Sequence, residues 1–257
     1  MKKIIPDLVT LLNLVCGVCA CILALWGEYY PAFIFIIGAA CFDFLDGFCA
    51  RLMGAPSELG KQLDSLCDLV SFGLAPALMA FNWMMHSPAK VPALAYFSFV
   101  FVCCAALRLA RFNIDNSQLH DFKGLAVPAA AMVMAPMLAY GQVCDARGFD
   151  SLLLPLLNSC WFLPVVTVVL GLLMVSRIPM FSLKGKRLSF KDYPRESVHF
   201  LSVFLLASPL AVIKGALLKV HFVYATLPLL ILFSMILYIL VNLVALGTKK
   251  TTPEQSL

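Results

Sequence analysis

Residues 43–68 read DFLDGFCARLMGAPSELGKQLDSLCD, and they set four aspartates, Asp43, Asp46, Asp64 and Asp68, into otherwise apolar sequence. The spacing is D-x-x-D-G-x-x-A-R, eight residues, then G-x-x-x-D-x-x-x-D. Asp43, Asp46 and Gly47 stand at i, i+3 and i+4, so they share one face of a helix. Asp64 and Asp68 are four apart and share a face of the next helix, with Gly60 one turn earlier. Between them MGAPSELG carries Gly54, Pro56 and Gly60, enough turn chemistry to reverse the chain. Two helix ends, each with two carboxylates, are thereby expected to meet.

Four carboxylates in one place repel unless positive charge lies between them. Oxygen-only ligands suit hard divalent cations, Mg²⁺ or Mn²⁺ with Ca²⁺ also admitted, and the absence of any need for His or thiolate sets the site apart from zinc. Four carboxylates can neutralise two dications and leave coordination positions for substrate. A pair of such ions about 3.5–4 Å apart clamps a phosphoryl group during displacement. Gly47 and Gly60 let a bulky ligand approach backbone that a side chain would shield. Helix-end carboxylates that merely face water and pair with Arg51 and Lys61 would not need glycines at fixed offsets.

Composition sets the surroundings. The chain has 257 residues, of which 62% are hydrophobic and 13% charged, and its mean hydropathy is +0.93. Soluble domains are about half apolar and about a quarter charged. The apolar runs are continuous rather than alternating, so the chain reads as all-α, a polytopic membrane helix bundle and not a barrel. The net charge of +5 does not indicate nucleic acid, because the basic residues are spread among loops. The ten cysteines lie almost entirely inside apolar segments. Cys16-Gly-Val-Cys19 forms a C-x-x-C, but no second pair or histidine accompanies it, and small packing residues are the reading ahead of zinc or redox chemistry.

About eight transmembrane helices are expected: Leu8 to Trp26, Pro31 to Arg51, Lys61 to Met85, Val91 to Asn113, Leu125 to Val143, Leu152 to Ser176, Val198 to Leu218 and Phe222 to Leu246. Residues 1–257 read as one integral membrane domain, with a six-helix core over about 5–180 and two additional helices over about 198–246. The first run is too long for a signal peptide and lacks a cleavage site. It carries Thr10 and Asn13 on one face, and a membrane Asn must meet either a neighbouring helix or a ligand. An even number of helices puts both termini on one side. Of the 19 lysines and arginines, all but Lys90, Arg147, Lys214 and Lys219 fall on that side. This asymmetry places the termini and the aspartates in the cytoplasm. A second polar cluster, LRLARFNIDNSQLHDFKGLAVPAAA, holds Arg108 and Arg111 on one face and then Lys123. It is either positive-inside charge in contact with lipid phosphate or a cationic pocket for a carboxylate or phosphate.

The aspartate motif resembles that of the CDP-alcohol phosphotransferases, membrane enzymes that make phospholipids from CDP-linked donors. Asp43, Asp46, Gly47, Ala50, Arg51, Gly60, Asp64 and Asp68 match every fixed position of that motif over 26 positions. TLLNLVCG, RLARFN, FKGLAVPAAA and SRIPMFSLKG further resemble segments of the family's bacterial phosphatidylserine synthase branch, over most of residues 5–190. Two departures are Asp7, where Asn often follows the proline, and Ala126, where a proline is common.

The resemblance implies a donor, CDP-diacylglycerol, bound through Thr10, Asn13, Gly47, Ala50, Arg51 and Gly60. It implies two divalent cations on Asp43, Asp46, Asp64 and Asp68, with Asp68 as the base for the hydroxyl of L-serine. Arg108, Arg111 and Lys123 are the groups to receive the serine carboxylate. It further implies a homodimer in the bacterial inner membrane, surrounded by membrane lipids and with no nucleic acid partner. Glycerol 3-phosphate or inositol phosphate as acceptor would keep the same chemistry. An ion transporter built on the aspartates is the alternative from another class, and it leaves the flanking glycines and arginine without a role.

Overall fold

The computed structural model describes residues 4–52, 58–89, 91–114, 124–148, 151–178 and 222–249. All the described elements are helical: α1 (Ile4–Leu25), α2 (Tyr29–Leu52), α3 (Glu58–Asp68), a π-helical stretch (Leu69–Leu74), α4 (Ala75–His86), α5 (Pro92–Ala95), α6 (Ser98–Ile114), α7 (Val127–Arg147), α8 (Leu153–Leu157), α9 (Phe162–Val175) and α10 (Phe222–Lys249). With no water to satisfy backbone groups, helices of about 20 residues are the economical way to cross hydrocarbon. Six spans qualify by length and apolarity among the described residues: Pro6–Leu25, Tyr29–Cys49, Glu58–His86, Pro92–Ile114, Val127–Arg147 and Ala225–Leu243. The shorter α9 is also apolar. The chain is a multi-pass membrane protein, as its composition requires.

The expected helices correspond to these spans, with three refinements. The expected seventh, near 198–218, lies outside the described residues. The expected sixth is broken into α8 and α9. Pro164 has no N–H to donate, and its ring crowds the carbonyl four residues earlier, so a continuous helix through Ser159 and Cys160 is disfavoured. The open carbonyls at the break are used instead: Trp83 Nε1 donates to the Leu157 carbonyl at 3.1 Å and Ser87 Oγ to that of Asn158 at 3.0 Å. The third span widens into the π stretch just ahead of Pro76, and there the Ala75 N–H reaches back five residues to the Val70 carbonyl. A proline that cannot donate inside a helix is one reason to insert such a turn.

α7 is the central helix. Of its apolar window 72% is buried, against 17% for α10, which packs along it. Pro128 lies in its first turn, and Gly148 ends it at φ +61°, where a left-handed residue lets the chain leave the helix. At one end of the bundle, side chains of α4 and α7 satisfy the turn between α1 and α2. Asn82 Nδ2 donates to the Leu25 carbonyl at 2.8 Å, and Tyr29 Oη donates to Asn82 Oδ1 at 2.8 Å. Gln142 Nε2 donates to the Gly27 carbonyl at 2.9 Å while its Oε1 accepts from the Tyr30 N–H at 2.7 Å. The aspartates lie at the opposite end.

α1 approaches the π stretch very closely. A Cβ on Gly17 would meet Ser71 Oγ and would stand 2.8 Å from the Ser71 Cα, while Ser71 Oγ donates to the Asn13 carbonyl at 3.1 Å. Gly38, where a Cβ would meet only Cys16 Sγ at 3.6 Å, has room. Gly17→Val is therefore expected to destabilise the bundle by about 2 kcal/mol through overpacking, and Gly38→Ala to be neutral. Thermal unfolding in detergent measures the difference.

Candidate metal centre and active site

Helix periodicity brings the aspartates together as the sequence spacing requires. α2 supplies Asp43, Asp46 and Gly47; α3 supplies Gly60, Asp64 and Asp68 at one-turn intervals. Carboxylate oxygens of Asp43, Asp64 and Asp68 lie within 4.8 Å of one another, a group able to hold a metal ion. Asp46 stands outside that trio, buried at 7% exposure one turn along α2. It belongs to the same neighbourhood, since Cys67 lies within electrostatic reach of Asp68, Asp64 and Asp46 together. Ala50 and Arg51 continue α2 toward its end, but their side chains lie outside the described set.

Asn13 from α1 closes the site. It is fully buried, and its Nδ2 donates to Asp68 Oδ1 at 3.2 Å. Its own carbonyl is held by Ser71, so backbone and side chain of one residue tie α1 to both sides of the α3–π junction. Asn13 Oδ1 is buried and takes no hydrogen bond. Asn13 thus does what a membrane Asn must: it meets a neighbouring helix, and it leaves an acceptor oxygen beside the carboxylates. Thr10, one turn earlier, is buried and donates back to the Pro6 carbonyl at 3.0 Å.

These residues fit a hard divalent cation. Converging carboxylate oxygens raise each other's cost of ionisation unless a cation offsets the repulsion, and the donor set contains only oxygen where the trio meets. Around Gly47 there is open space among the described residues, because an added Cβ would find none of their atoms within 4 Å.

The second polar cluster divides. Arg108, half-buried on α6, lies within electrostatic reach of Asp68 and of Tyr238 of α10, and its Nε is buried without a hydrogen bond. Arg111 is exposed and donates from Nη1 to the Val175 carbonyl at 3.3 Å, securing the end of α9. Lys123 lies outside the described residues. Beside it Gly124, at φ +78°, meets the segment after α9: its N–H donates to the Ile178 carbonyl at 2.8 Å, and a Cβ would come within 2.8 Å of the Ser176 carbonyl oxygen. Residues 124–125 and 173–178, far apart in sequence, thus dock on each other at this end.

Two contacts escape sequence reasoning. Asn113, inside the quoted RLARFN, clasps α6 to α3: its Nδ2 donates to Ser65 Oγ at 2.9 Å and Gln62 Oε1 at 3.3 Å, and its carbonyl accepts from Lys61 Nζ at 3.1 Å. The polar residues at 61, 62 and 65 were the available signal. Tyr238 gave none, being a lone tyrosine in an apolar run.

A sequence profile of the CDP-alcohol phosphatidyltransferases matches residues 3–176. The chain belongs to this family. The matched region runs from α1 to the end of α9 and contains the whole aspartate site, whereas α10 follows it. Over 145 residues the chain is 35% identical to the CDP-diacylglycerol–serine O-phosphatidyltransferase of Bacillus subtilis, covering 56% of this chain and 81% of that one. It is 33% identical over 215 residues to the protein of that name from Methanocaldococcus jannaschii, covering 83% and 86%. It is also 33% identical over 143 residues to the archaetidylserine synthase of Methanothermobacter thermautotrophicus, covering 53% and 58%. In this member of the CDP-alcohol phosphatidyltransferases, Asn113→Ala should lower stability by about 1 kcal/mol or somewhat more, the scale for losing side-chain hydrogen bonds. Chemical unfolding in detergent, compared with wild type, checks this.

Proposed function

We propose that this chain is a phosphatidylserine synthase, transferring the phosphatidyl group of CDP-diacylglycerol to the hydroxyl of L-serine and releasing CMP. The observation that carries the reading is the convergence of Asp43, Asp64 and Asp68 within 4.8 Å, at one end of a membrane bundle of this family. The relatives' names support the acceptor: those from Bacillus, Methanocaldococcus and Methanothermobacter all name a serine product or substrate, while the lipid part differs. We place the site and both termini on the cytoplasmic side of a bacterial inner membrane, on the strength of the lysine and arginine distribution. A homodimer is the expectation from the family.

The donor's acyl chains would stay in the bilayer while its cytidine diphosphate enters at the aspartate end. Divalent cations held by Asp43, Asp46, Asp64 and Asp68, Mg²⁺ or Mn²⁺, would neutralise the diphosphate and the charge that develops on the leaving CMP. The protein's own groups do the rest. Asn13 fixes the orientation of the Asp68 carboxylate, which takes the proton of the serine hydroxyl as its oxygen attacks the phosphorus bearing the lipid. The bond from that phosphorus to the CMP oxygen breaks, and CMP leaves with the electron pair. A carboxylate is a weak base, but proton transfer late in the attack demands placement more than basicity. Gly47 and Ala50 leave room for the nucleotide, with Thr10 and Gly60 on the neighbouring turns and Arg51 for phosphate charge. Arg108, with Arg111 and Lys123, is assigned to the acceptor's carboxylate.

Purified protein given CDP-diacylglycerol, Mg²⁺ or Mn²⁺ and labelled L-serine should make labelled phosphatidylserine. Asp68→Asn should reduce the rate by about 100-fold or more, the range of general base catalysis, and chelation should abolish it until the cation is restored. Lipid formed from glycerol 3-phosphate but never from serine would overturn the acceptor; no CMP from any acceptor would overturn the reading as a whole. Gly47→Leu tests the space for the nucleotide. Because an added Cβ there meets no atom of the described residues within 4 Å, the variant should melt like wild type yet raise the KM for CDP-diacylglycerol.

A further inference from the structure

α1 buries two polar side chains in the bundle, Thr10 at 3% and Asn13 at 0% exposure. Thr10 spends its hydroxyl on the Pro6 carbonyl one turn back. Asn13 uses only one end of its amide. Its Nδ2 donates to Asp68 Oδ1 at 3.2 Å, while its Oδ1 is buried and takes no hydrogen bond. The direction of the amide follows from chemistry: an ionised carboxylate only accepts, so the nitrogen faces Asp68 and the oxygen is left over. The backbone behind it is held as well, since Ser71 Oγ donates to the Asn13 carbonyl at 3.1 Å and Gly17 lets α1 lie against that serine. Asn82, the buried Asn at the opposite end of the bundle, uses both its nitrogen and its oxygen.

A buried acceptor without a partner costs about 1–3 kcal/mol, and the partner it lacks is a hydrogen-bond donor. Phosphate oxygens of the lipid donor and a carboxylate of the acceptor only accept, so neither can fill the place. An ammonium group has N–H donors and no acceptor, and an amide oxygen receives it in a charge-assisted bond. Position selects the same group. Asp68 is assigned the proton of the serine hydroxyl, and in serine the amine stands on the carbon next to the one that bears this hydroxyl. A side chain bonded to the base through its nitrogen therefore holds its oxygen within reach of that amine. A neutral oxygen suits the place, because another carboxylate would add to the repulsion among Asp43, Asp64 and Asp68.

We propose that Asn13 Oδ1 receives the ammonium group of the amino-acid acceptor, so that one amide steadies the base with its nitrogen and selects an amine-bearing acceptor with its oxygen. This rests on the reading of serine as the acceptor. The family resemblance implied a contact of Asn13 with the lipid donor; the open oxygen assigns it to the acceptor.

The experiment compares wild type, Asn13→Leu and Asn13→Asp with L-serine and with 3-hydroxypropanoate, which keeps the hydroxyl and carboxylate of serine and lacks its amine. CMP release gives kcat and KM, and the analogue is also titrated as an inhibitor of labelled L-serine, so that its affinity is read even where its turnover is slow. Both variants lose the Nδ2 bond to Asp68, a loss common to the two ligands that cancels when they are compared. Asn13→Leu should raise the KM for L-serine about tenfold, the scale for losing a hydrogen bond to a charged group. The KM for CDP-diacylglycerol and the affinity for the analogue should change little, so the preference for L-serine falls by the same factor. Asn13→Asp, which keeps an oxygen at the position, should retain the preference. If thermal unfolding in detergent shows that Asn13→Leu does not fold, Asn13→Ala removes the same amide without bulk and is read in its place. An unchanged preference would overturn the proposal. So would a raised KM for CDP-diacylglycerol or a raised cation requirement without a change of preference, which would give the oxygen to the lipid donor or to the metal. Wild type that releases CMP only with acceptors lacking an amine would instead overturn the serine reading, and the inference with it. The wild-type assay alone distinguishes that case.

Discussion

Three carboxylates within 4.8 Å are a repulsive arrangement, and the surrounding bundle exists to hold it. The restraint comes from neutral groups. Asn13 donates to Asp68, Ser71 holds Asn13 from behind, and Asn113 fixes α3 to α6 one to two turns before Asp68. Each of these is a hydrogen bond between helices where water is scarce, so each leaves an unsatisfied polar group if broken. Gly17 permits the first two by letting α1 lie against the π stretch. Small residues at such crossings are what membrane helices use to bring backbones together.

The bundle has two polar ends of different character. The end with Asn82 and Gln142 is self-satisfied, each side chain spending both donor and acceptor on the α1–α2 turn. The aspartate end retains unused capacity in Asn13 Oδ1 and Arg108 Nε, buried atoms without hydrogen bonds. A structural knot closes its bonds, whereas a binding site keeps some open for the ligand. That contrast locates the chemistry independently of any motif.

Much of this was legible in the sequence. Continuous apolar runs gave the all-helical membrane bundle, because lipid leaves few alternatives for the backbone. The aspartates were legible because helix period and spacing alone bring Asp43, Asp64 and Asp68 to one face of each helix. Less legible was anything set by tertiary approach. The break between α8 and α9 depends on Trp83 and Ser87 taking carbonyls there, and the role of Asn113 depends on α6 lying antiparallel to α3. The partition of Arg108 from Arg111 could not be read either. The two share a nominal helix face, yet one lies within electrostatic reach of Asp68 and the other secures a carbonyl of α9.

The π stretch of Leu69–Leu74 has a mechanical meaning of its own. Inserting one residue into a helical turn rotates everything downstream by about 100° relative to what precedes it. The span Glu58–His86 is thus two half-helices with separately set phases. The first half aims Asp64 and Asp68 at α2, and the second aims Asn82 and Trp83 at α1 and α8. A uniform helix would hold those two bearings at another relative angle. The offset fixes the angle between anchorage and chemistry on one continuous rod.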